Sequence, residues 1–169
     1  MLRAIAGSTV FFFLAPGTVA FLAPRWIHRN PSPLPWLEKL PVQIAGGLLI
    51  FAGLCVLVDC FARFAIQGLG TPAPVAPPKT LVVTGMYRHV RNPMYVAVVG
   101  LILGQGLIWA DERVAGYGAL VWTCFHLFVT LYEEPALRRQ FDGEYVTFRI
   151  HVPRWIPRLS AWTPGGVSH

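Results

Sequence analysis

The chain has 169 residues, of which 54% are hydrophobic and 13% are charged, with a net charge of +6. A chain this apolar is not a typical soluble domain, and it indicates an integral membrane protein whose single domain covers residues 1–169. The positive charge would also suit a nucleic-acid-binding protein. The basic residues flank apolar segments and form no run, so nucleic acid is excluded as a partner.

Hydropathy predicts four transmembrane helices, at residues 2–23, 42–66, 93–110 and 114–132. The third has 18 residues and would rise roughly 27 Å, just enough to cross the hydrocarbon core of a bilayer. A cleaved signal peptide is the alternative for the first, although its apolar run is long for one. A polar, helical tail follows the fourth. The predicted fold class is therefore all-α, an integral membrane helical bundle.

Several residues inside these segments predict how the helices pack. Gly100 and Gly104 are four apart and would allow close contact between helices. Residues 111–113, Asp-Glu-Arg, form a short polar link, so the third and fourth helices should be an antiparallel hairpin. Asp59 and Arg63 are also four apart and can form an ion pair that ties down a helix end.

The three cysteines all fall in apolar segments, at Cys55, Cys60 and Cys124. Their number is odd and their spacing is not that of a metal site. We therefore interpret them as packing residues and predict no metal.

Lysine and arginine residues predict the orientation of the bundle. With four spans, the N-terminus, the middle loop and the tail lie on one side, which holds ten of the 14 basic residues. The other side holds four. The first side should be cytoplasmic, with both termini and the candidate active site, and a bacterial inner membrane is the expected location.

The start of the third helix is a candidate anion site. Asn92 suits the N-cap position and Pro93 the first helical position. The free N–H groups of a helix start, flanked here by Arg88 and Arg91, favour a carboxylate or phosphate. The alternative is a capped helix with basic residues at a membrane surface.

Two adjacent carboxylates, Glu133 and Glu134, are predicted to end the fourth helix. Carboxylates are unfavourable at a helix C-terminus unless a cation or a hydroxyl-bearing ligand meets them. The alternative is a solvated start to the next helix, with Pro135 at its first position. A zwitterion with a positive centre would suit both this cation site and the anion site.

His126 lies two helical turns before Glu133, roughly 10 Å deeper along the helix. An ionisable residue inside a transmembrane helix is a candidate functional residue. The alternative is a neutral histidine that is hydrogen-bonded between helices.

Four motifs follow one another between residues 70 and 158: TGMYRHVRNPMY at 84–95, YEEPAL at 132–137, FDGEY at 141–145 and VPR at 152–154. Together and in this order they resemble the isoprenylcysteine carboxyl methyltransferase and phospholipid methyltransferase superfamily. The resemblance implies an integral membrane enzyme that uses S-adenosyl-L-methionine without a Rossmann domain.

The resemblance also implies roles for individual residues within a cofactor region at about 79–158. The cofactor-binding residues would be Thr80, Leu81, Val82, Tyr87, Arg91, Asn92, Pro93, Tyr95, Glu133 and Glu134. We assign catalytic roles to His126 and Glu134. His126 is the candidate base because an amine, phenol or thiol acceptor must lose a proton.

Three positions depart from the family pattern. Asn92 replaces the family histidine, and asparagine cannot titrate. Val129 stands where the prenylcysteine enzymes carry an arginine thought to meet the substrate carboxylate. In the third motif the glycine is displaced by one, and Asp142 takes its place; aspartate tolerates left-handed backbone angles fairly well.

The predicted function is S-adenosylmethionine-dependent methyl transfer to a lipophilic or membrane-embedded acceptor, as in the isoprenylcysteine carboxyl methyltransferases. One alternative is a phospholipid methyltransferase, or another amine or thiol methyltransferase. Another is a non-catalytic membrane subunit on the same scaffold, which cofactor binding would distinguish. The predicted partners are the membrane and a lipid or lipophilic small molecule, and no obligate protein partner is evident. O-, N- and S-methylation stay open.

Overall fold

The computed structural model describes residues 16–66 and 81–163, and this part of the chain is helical, without a β-strand. The predicted all-α class is confirmed. The α-helices are α1 (Ala23–Ile27), α2 (Leu40–Ile66), α3 (Pro93–Ile108), α4 (Glu112–Phe128) and α5 (Glu134–His151). Two π-helical turns, Thr18–Leu22 and Val129–Glu133, precede α1 and α5, and two 3₁₀ turns cover Pro35–Leu37 and Gly85–Arg88.

Two helical runs in the described residues are long and apolar enough to cross a membrane, Leu40–Arg63 and Glu112–His151. Helix α3 is apolar but has only 16 residues, a rise of roughly 24 Å. The first predicted span, residues 2–23, lies mostly outside the described residues. A membrane-embedded bundle fits this pattern, and the number of four spans stays a prediction.

Helices α2 and α3 pack closely and antiparallel at a pair of glycines. A Cβ atom on Gly104 would lie 2.8 Å from the carbonyl oxygen of Gly46 and 2.7 Å from Cγ1 of Ile50. A Cβ on Gly100 would meet Cδ1 of Leu49 at 3.7 Å, an ordinary contact. The predicted close approach is therefore confirmed at Gly104, whereas at Gly100 it was wrong.

The core beside these helices is apolar, and the polar side chain of Gln105 within it is hydrogen-bonded. Leu57, Leu101 and Ile102 are fully buried. The buried Gln105 amide donates to the carbonyl oxygens of Ala20, at 2.6 Å, and Leu101, at 2.9 Å. Because a buried amide without partners would cost free energy, these bonds fix the N-terminal π-helical turn against α3.

The predicted hairpin of α3 and α4 is confirmed, and Asp111 caps its second helix. The buried Asp111 carboxylate accepts the backbone N–H of Arg113 at 3.0 Å, the N–H of Ser32 at 3.3 Å and Nδ1 of His28 at 2.8 Å. Burial raises the pKa of Asp111, but hydrogen bonds from His28 and the two backbone groups outweigh it and hold that pKa below its usual value. The same carboxylate thus starts α4 and holds the loop after α1.

The prediction that the fourth helix ends near residue 132 was wrong. Helix α4 continues through the π-helical turn into α5, a helical run of 40 residues. The N–H of Glu134 bonds to the carbonyl of Val129, five residues earlier. Pro135 has no N–H and its ring would clash in a regular α-helical turn, so the wider π turn lets the helix pass it. Glu133 and Glu134 therefore lie inside a continuous helix.

Within α5 the backbone kinks at Asp142, whose φ is 31° and ψ is −112°. Positive φ values favour glycine, and aspartate is among the residues that enter this region more readily. The φ of Asp142 is positive, but its ψ lies outside the left-handed helical region, so the backbone here differs from the left-handed angles that aspartate was expected to tolerate.

The glycine contact gives a test of the helix packing. Gly104→Ala should lower the free energy of unfolding by about 1–3 kcal/mol, because the new methyl group would overlap the backbone of α2. Gly47→Ala is the matched control, since a Cβ there meets nothing within 4 Å. Unfolding in detergent micelles, followed by circular dichroism, would measure both. Equal effects of the two substitutions would contradict the packing described here.

Candidate functional site

The turn Gly85–Arg88, which carries the candidate site residue Tyr87, is held against the end of α2. Arg63 and Asp59 form the predicted ion pair, with Nε of Arg63 at 2.9 and 3.0 Å from the two carboxylate oxygens. Asp59 also accepts the N–H of Met86 at 3.4 Å. Gly85 has a φ of 54°, and a Cβ there would overlap the Arg63 guanidinium. The pair therefore fixes the turn on α2, and the turn needs glycine.

The turn directs Tyr87 into the bundle. Its phenol hydrogen-bonds with the thiol of Cys60 and lies near Tyr95 and Glu133. Burial raises the pKa of Tyr87 well above its usual value, and the nearby thiol and carboxylate act in the same direction. Tyr87 is thus a neutral donor beside Glu133, whose Oε2 atom accepts the Tyr95 hydroxyl at 3.0 Å.

Helix α3 begins as predicted with Asn92 at the N-cap and Pro93 at the first helical position. The prediction that the Asn92 side chain caps the helix was wrong. No side-chain cap forms; Nδ2 of Asn92 instead donates to the carbonyl oxygen of Arg154 at 3.2 Å. Because Asn92 holds the tail, its amide is committed to structure.

Glu134 is buried between two arginines. Oε1 accepts Nη1 of Arg91 at 2.9 Å and Nε of Arg154 at 2.6 Å, and Oε2 accepts Nη2 of Arg154 at 3.0 Å. Arg91 also donates to the Tyr145 hydroxyl at 3.2 Å. A buried carboxylate is stable when its partners satisfy it in this way, so Glu134 connects the start of α3, the start of α5 and the tail.

The two neighbouring glutamates therefore have different environments. Glu134 is shared by two cations, whereas in the described part of the chain no arginine or lysine pairs with Glu133. The Arg91 side chain that binds Glu134 is 9% exposed, and its Nε atom is buried without a hydrogen-bond partner among the residues that the structure describes. Within the described residues, this end of the bundle thus holds a guanidinium N–H without a partner and a carboxylate that accepts one hydrogen bond, from the neutral Tyr95 hydroxyl.

The tail after α5 holds the turn from the outside. The carbonyl oxygen of Pro153 accepts the N–H of Arg91 at 2.9 Å. The N–H of Arg158 donates to the carbonyl of His89, also at 2.9 Å, and that of Trp162 donates to the carbonyl of Arg88 at 3.0 Å. The tail therefore positions the segment that carries Tyr87 and Arg91.

The remaining predicted cofactor residues lie on the approach to the turn. Val82 is buried, and Leu81 packs against a second apolar cluster formed by Tyr145, Phe148 and Val152. Thr80 lies outside the described residues. Leu81 thus lies beside Tyr145, and Val82 follows it in the chain shortly before the turn.

His126 lies among aromatic rings. Its Nδ1 atom accepts the indole N–H of Trp155 at 3.2 Å, and its ring packs against Trp122 and Trp155 at centroid distances of 5.3 and 5.9 Å. Glu133 instead meets Tyr95, which packs on Phe125. His126 and Glu133 therefore have different partners. The π turn that includes Glu133 alters the helical spacing between the two side chains, which a regular helix would place on one face.

The roles of Arg154, Tyr145 and Cys60 were not predicted. Arg154 and Tyr145 belong to quoted motifs, so the motifs carried a signal, but nothing in the sequence paired Arg154 with Glu134. Cys60 was interpreted as a packing residue; it is buried, and its thiol also meets Tyr87.

Comparison with known proteins identifies the family of the chain. The family model for phospholipid methyltransferases matches residues 42–144, which is more than half of the chain. The chain belongs to the phospholipid methyltransferase family. The family lies within the superfamily that the motifs resemble, and membership implies methyltransferase activity on a membrane-associated substrate. A search among curated proteins found no match.

The different environments of the glutamates predict different effects on stability. Glu134→Gln should lower the free energy of unfolding by about 3 kcal/mol, near the lower end for a broken buried ion pair, because Arg154 is partly exposed. Glu133→Gln should cost less than about 1 kcal/mol, since glutamine can still accept the Tyr95 hydroxyl. Chemical unfolding in micelles measures both. A larger loss for Glu133→Gln would contradict the assignment.

Proposed function

We propose that the protein transfers a methyl group from S-adenosyl-L-methionine to a lipophilic acceptor held in the membrane. The observation that carries the proposal is the buried Nε of Arg91, which has no hydrogen-bond partner among the described residues, on a side chain that binds Glu134, the neighbour of Glu133 in the helix. An unsatisfied buried guanidinium donor is costly in free energy, and a ligand carboxylate would satisfy it. Family membership supports the same reaction class.

The residues present fit this cofactor. Its methionine moiety carries a carboxylate and an ammonium group, which Arg91 and Glu133 would bind. Leu81 and Val82 would line its less polar part, and the phenol of Tyr87, which hydrogen-bonds with Cys60, lies near Glu133. Because two arginines already bind Glu134, we assign that residue to positioning Arg91, and we no longer assign it to chemistry.

When bound, the cofactor would supply a methyl group on a positively charged sulfur. The methyl group would pass to the acceptor atom, and the sulfur would keep the electron pair of the broken bond. The task left to this chain is alignment, since displacement requires the attacking atom, methyl carbon and sulfur in line. The Asp59–Arg63 pair and the tail fix the Tyr87 turn, and the Glu134 cluster fixes Arg91. The aromatic contact between Tyr95 and Phe125 would help to exclude water from the site.

Two acceptor classes follow from the residues. A carboxylate acceptor, as in the isoprenylcysteine enzymes, needs no base. An amine, favoured by the match to the phospholipid methyltransferases, must lose a proton. Nδ1 of His126 accepts the Trp155 N–H, so in the neutral ring the proton is on Nε2 and the ring is a donor. We therefore propose that His126 orients the acceptor, and it acts as a base only if Trp155 releases it.

The orientation that we propose places this site and both termini on the cytoplasmic face of a bacterial inner membrane. It is supported by the ten basic residues on that side against four on the other.

Cofactor affinity tests the proposal. Glu133→Gln and Arg91→Lys should each weaken S-adenosylmethionine binding at least about tenfold, the loss of one charge-assisted hydrogen bond. Glu144→Gln, an exposed change on α5, is the matched control and should bind like the wild type. Calorimetric titration of the purified wild type and the three variants measures the affinities. Unchanged affinity in both site variants, while they remain folded, would refute the cofactor site.

A pH profile separates the roles of His126. If it orients the acceptor, His126→Gln should keep cofactor affinity and retain most of the turnover. If it is a base, turnover should fall about 10²–10⁴-fold, and the wild-type rate should rise with pH. The measurement is transfer of labelled methyl groups into a membrane lipid extract. Lost turnover in the Gln variant with that pH dependence would contradict the orienting role.

A further inference from the structure

A cleft of about 390 Å³ opens on the outer side of the Gly85–Arg88 turn. Helix α2 forms one wall with Val56 and Arg63, the turn contributes Arg88, and Ala161 of the tail forms the rim. The cleft has room for a small polar group, and charged and apolar side chains both line it.

This cleft is distinct from the proposed cofactor site because the turn separates the two. Met86 and Arg88 line the cleft. Tyr87, between them in sequence, instead meets Cys60 and lies near Glu133 inside the bundle. A ligand in the cleft would therefore contact the back of the segment that carries Tyr87.

The cleft carries a net positive charge. Asp59 is neutralised by Arg63. Arg88 donates from Nε to the carbonyl oxygen of Trp162 at 2.6 Å and from Nη2 to the Thr163 hydroxyl, and both acceptors are neutral. Among the residues that the structure describes, no carboxylate pairs with Arg88. Its whole charge, and the N–H groups of Nη1, are available to an anion.

The position of the cleft along α2 indicates the source of that anion. Arg63 is the last residue of the candidate membrane span Leu40–Arg63. Val56, two turns earlier, lines the cleft, and the neighbouring Val58 is 57% exposed on the surface that would face lipid. A group bound here would lie at headgroup depth with an apolar surface directly below it, and basic pockets at this depth bind anionic headgroups.

We propose that this cleft binds the phosphate of an anionic phospholipid, separately from the methyl acceptor. The guanidinium of Arg88 contacts the phosphate oxygens, and the wall at Val56 contacts the start of the acyl chains. Free phosphate would present the same oxygens without the chains. The site does not depend on the proposed methyl transfer.

Three ligands distinguish a phospholipid phosphate from free phosphate as the bound anion. The intact protein in a neutral detergent would be titrated with dioctanoyl phosphatidylglycerol, dioctanoyl phosphatidylcholine and inorganic phosphate, with binding followed by calorimetry. Saturable binding of phosphatidylglycerol, at least tenfold tighter than that of the other two, is the expected result. Equal binding of phosphatidylcholine would overturn the anion site. Inorganic phosphate binding as tightly as phosphatidylglycerol would overturn the lipid source.

Variants locate the binding. Arg88→Gln should weaken phosphatidylglycerol binding at least about tenfold, and Arg88→Lys should stay within a few fold because it keeps the charge. Ala161→Phe should block the cleft without removing any charge. Leu159→Phe is its control, since Leu159 is fully exposed and does not line the cleft. Unchanged binding by Ala161→Phe would overturn the proposal even if Arg88→Gln failed to fold.

Discussion

The ion cluster of Glu134 with Arg91 and Arg154 holds this end of the bundle together. A carboxylate buried in an apolar environment must be paired, and here two guanidinium groups pair with it through three hydrogen bonds. Each partner comes from a different part of the chain. The cluster therefore fixes the start of α3, the start of α5 and the tail relative to one another.

The π-helical turn before Pro135 decides which glutamate enters that cluster. A regular helix cannot accommodate proline in its interior without losing a hydrogen bond and meeting the preceding carbonyl. The wider turn at Val129–Glu133 avoids this and keeps α4 and α5 continuous. It also turns Glu133 toward Tyr95 and Glu134 toward Arg91. Two adjacent carboxylates thereby acquire different surroundings: two arginines bind Glu134, and a tyrosine hydroxyl meets Glu133.

Much of the fold followed from local patterns in the sequence. The apolar segments predicted the helices, the spacing of Asp59 and Arg63 predicted their pair, and Asp111 marked the hairpin. These features depend on neighbours in sequence or on one helix face. The continuous helix through Pro135 was missed because a proline after two carboxylates usually reads as a helix boundary, and a π turn has no simple sequence signature.

The site was less predictable, because its contacts join distant parts of the chain. The motifs indicated Tyr87, Arg91 and the two glutamates but not how they are paired. Asn92 precedes a proline as an N-cap residue would, yet its side-chain amide donates to the carbonyl oxygen of Arg154, 62 residues away. The pairing of Arg154 with Glu134 likewise spans 20 residues and the kink at Asp142. Such pairings depend on tertiary packing and not on propensity.

A double-mutant cycle between Glu134 and Arg154 tests the central claim most directly. The free energies of unfolding of Glu134→Gln, Arg154→Gln and the double variant would be measured in the same micelles, with Glu133→Gln and Arg154→Gln as the parallel control cycle. Residues that share a buried ion pair should couple by about 1–3 kcal/mol, while the control cycle should be close to additive. Additive effects of Glu134 and Arg154 would contradict the account.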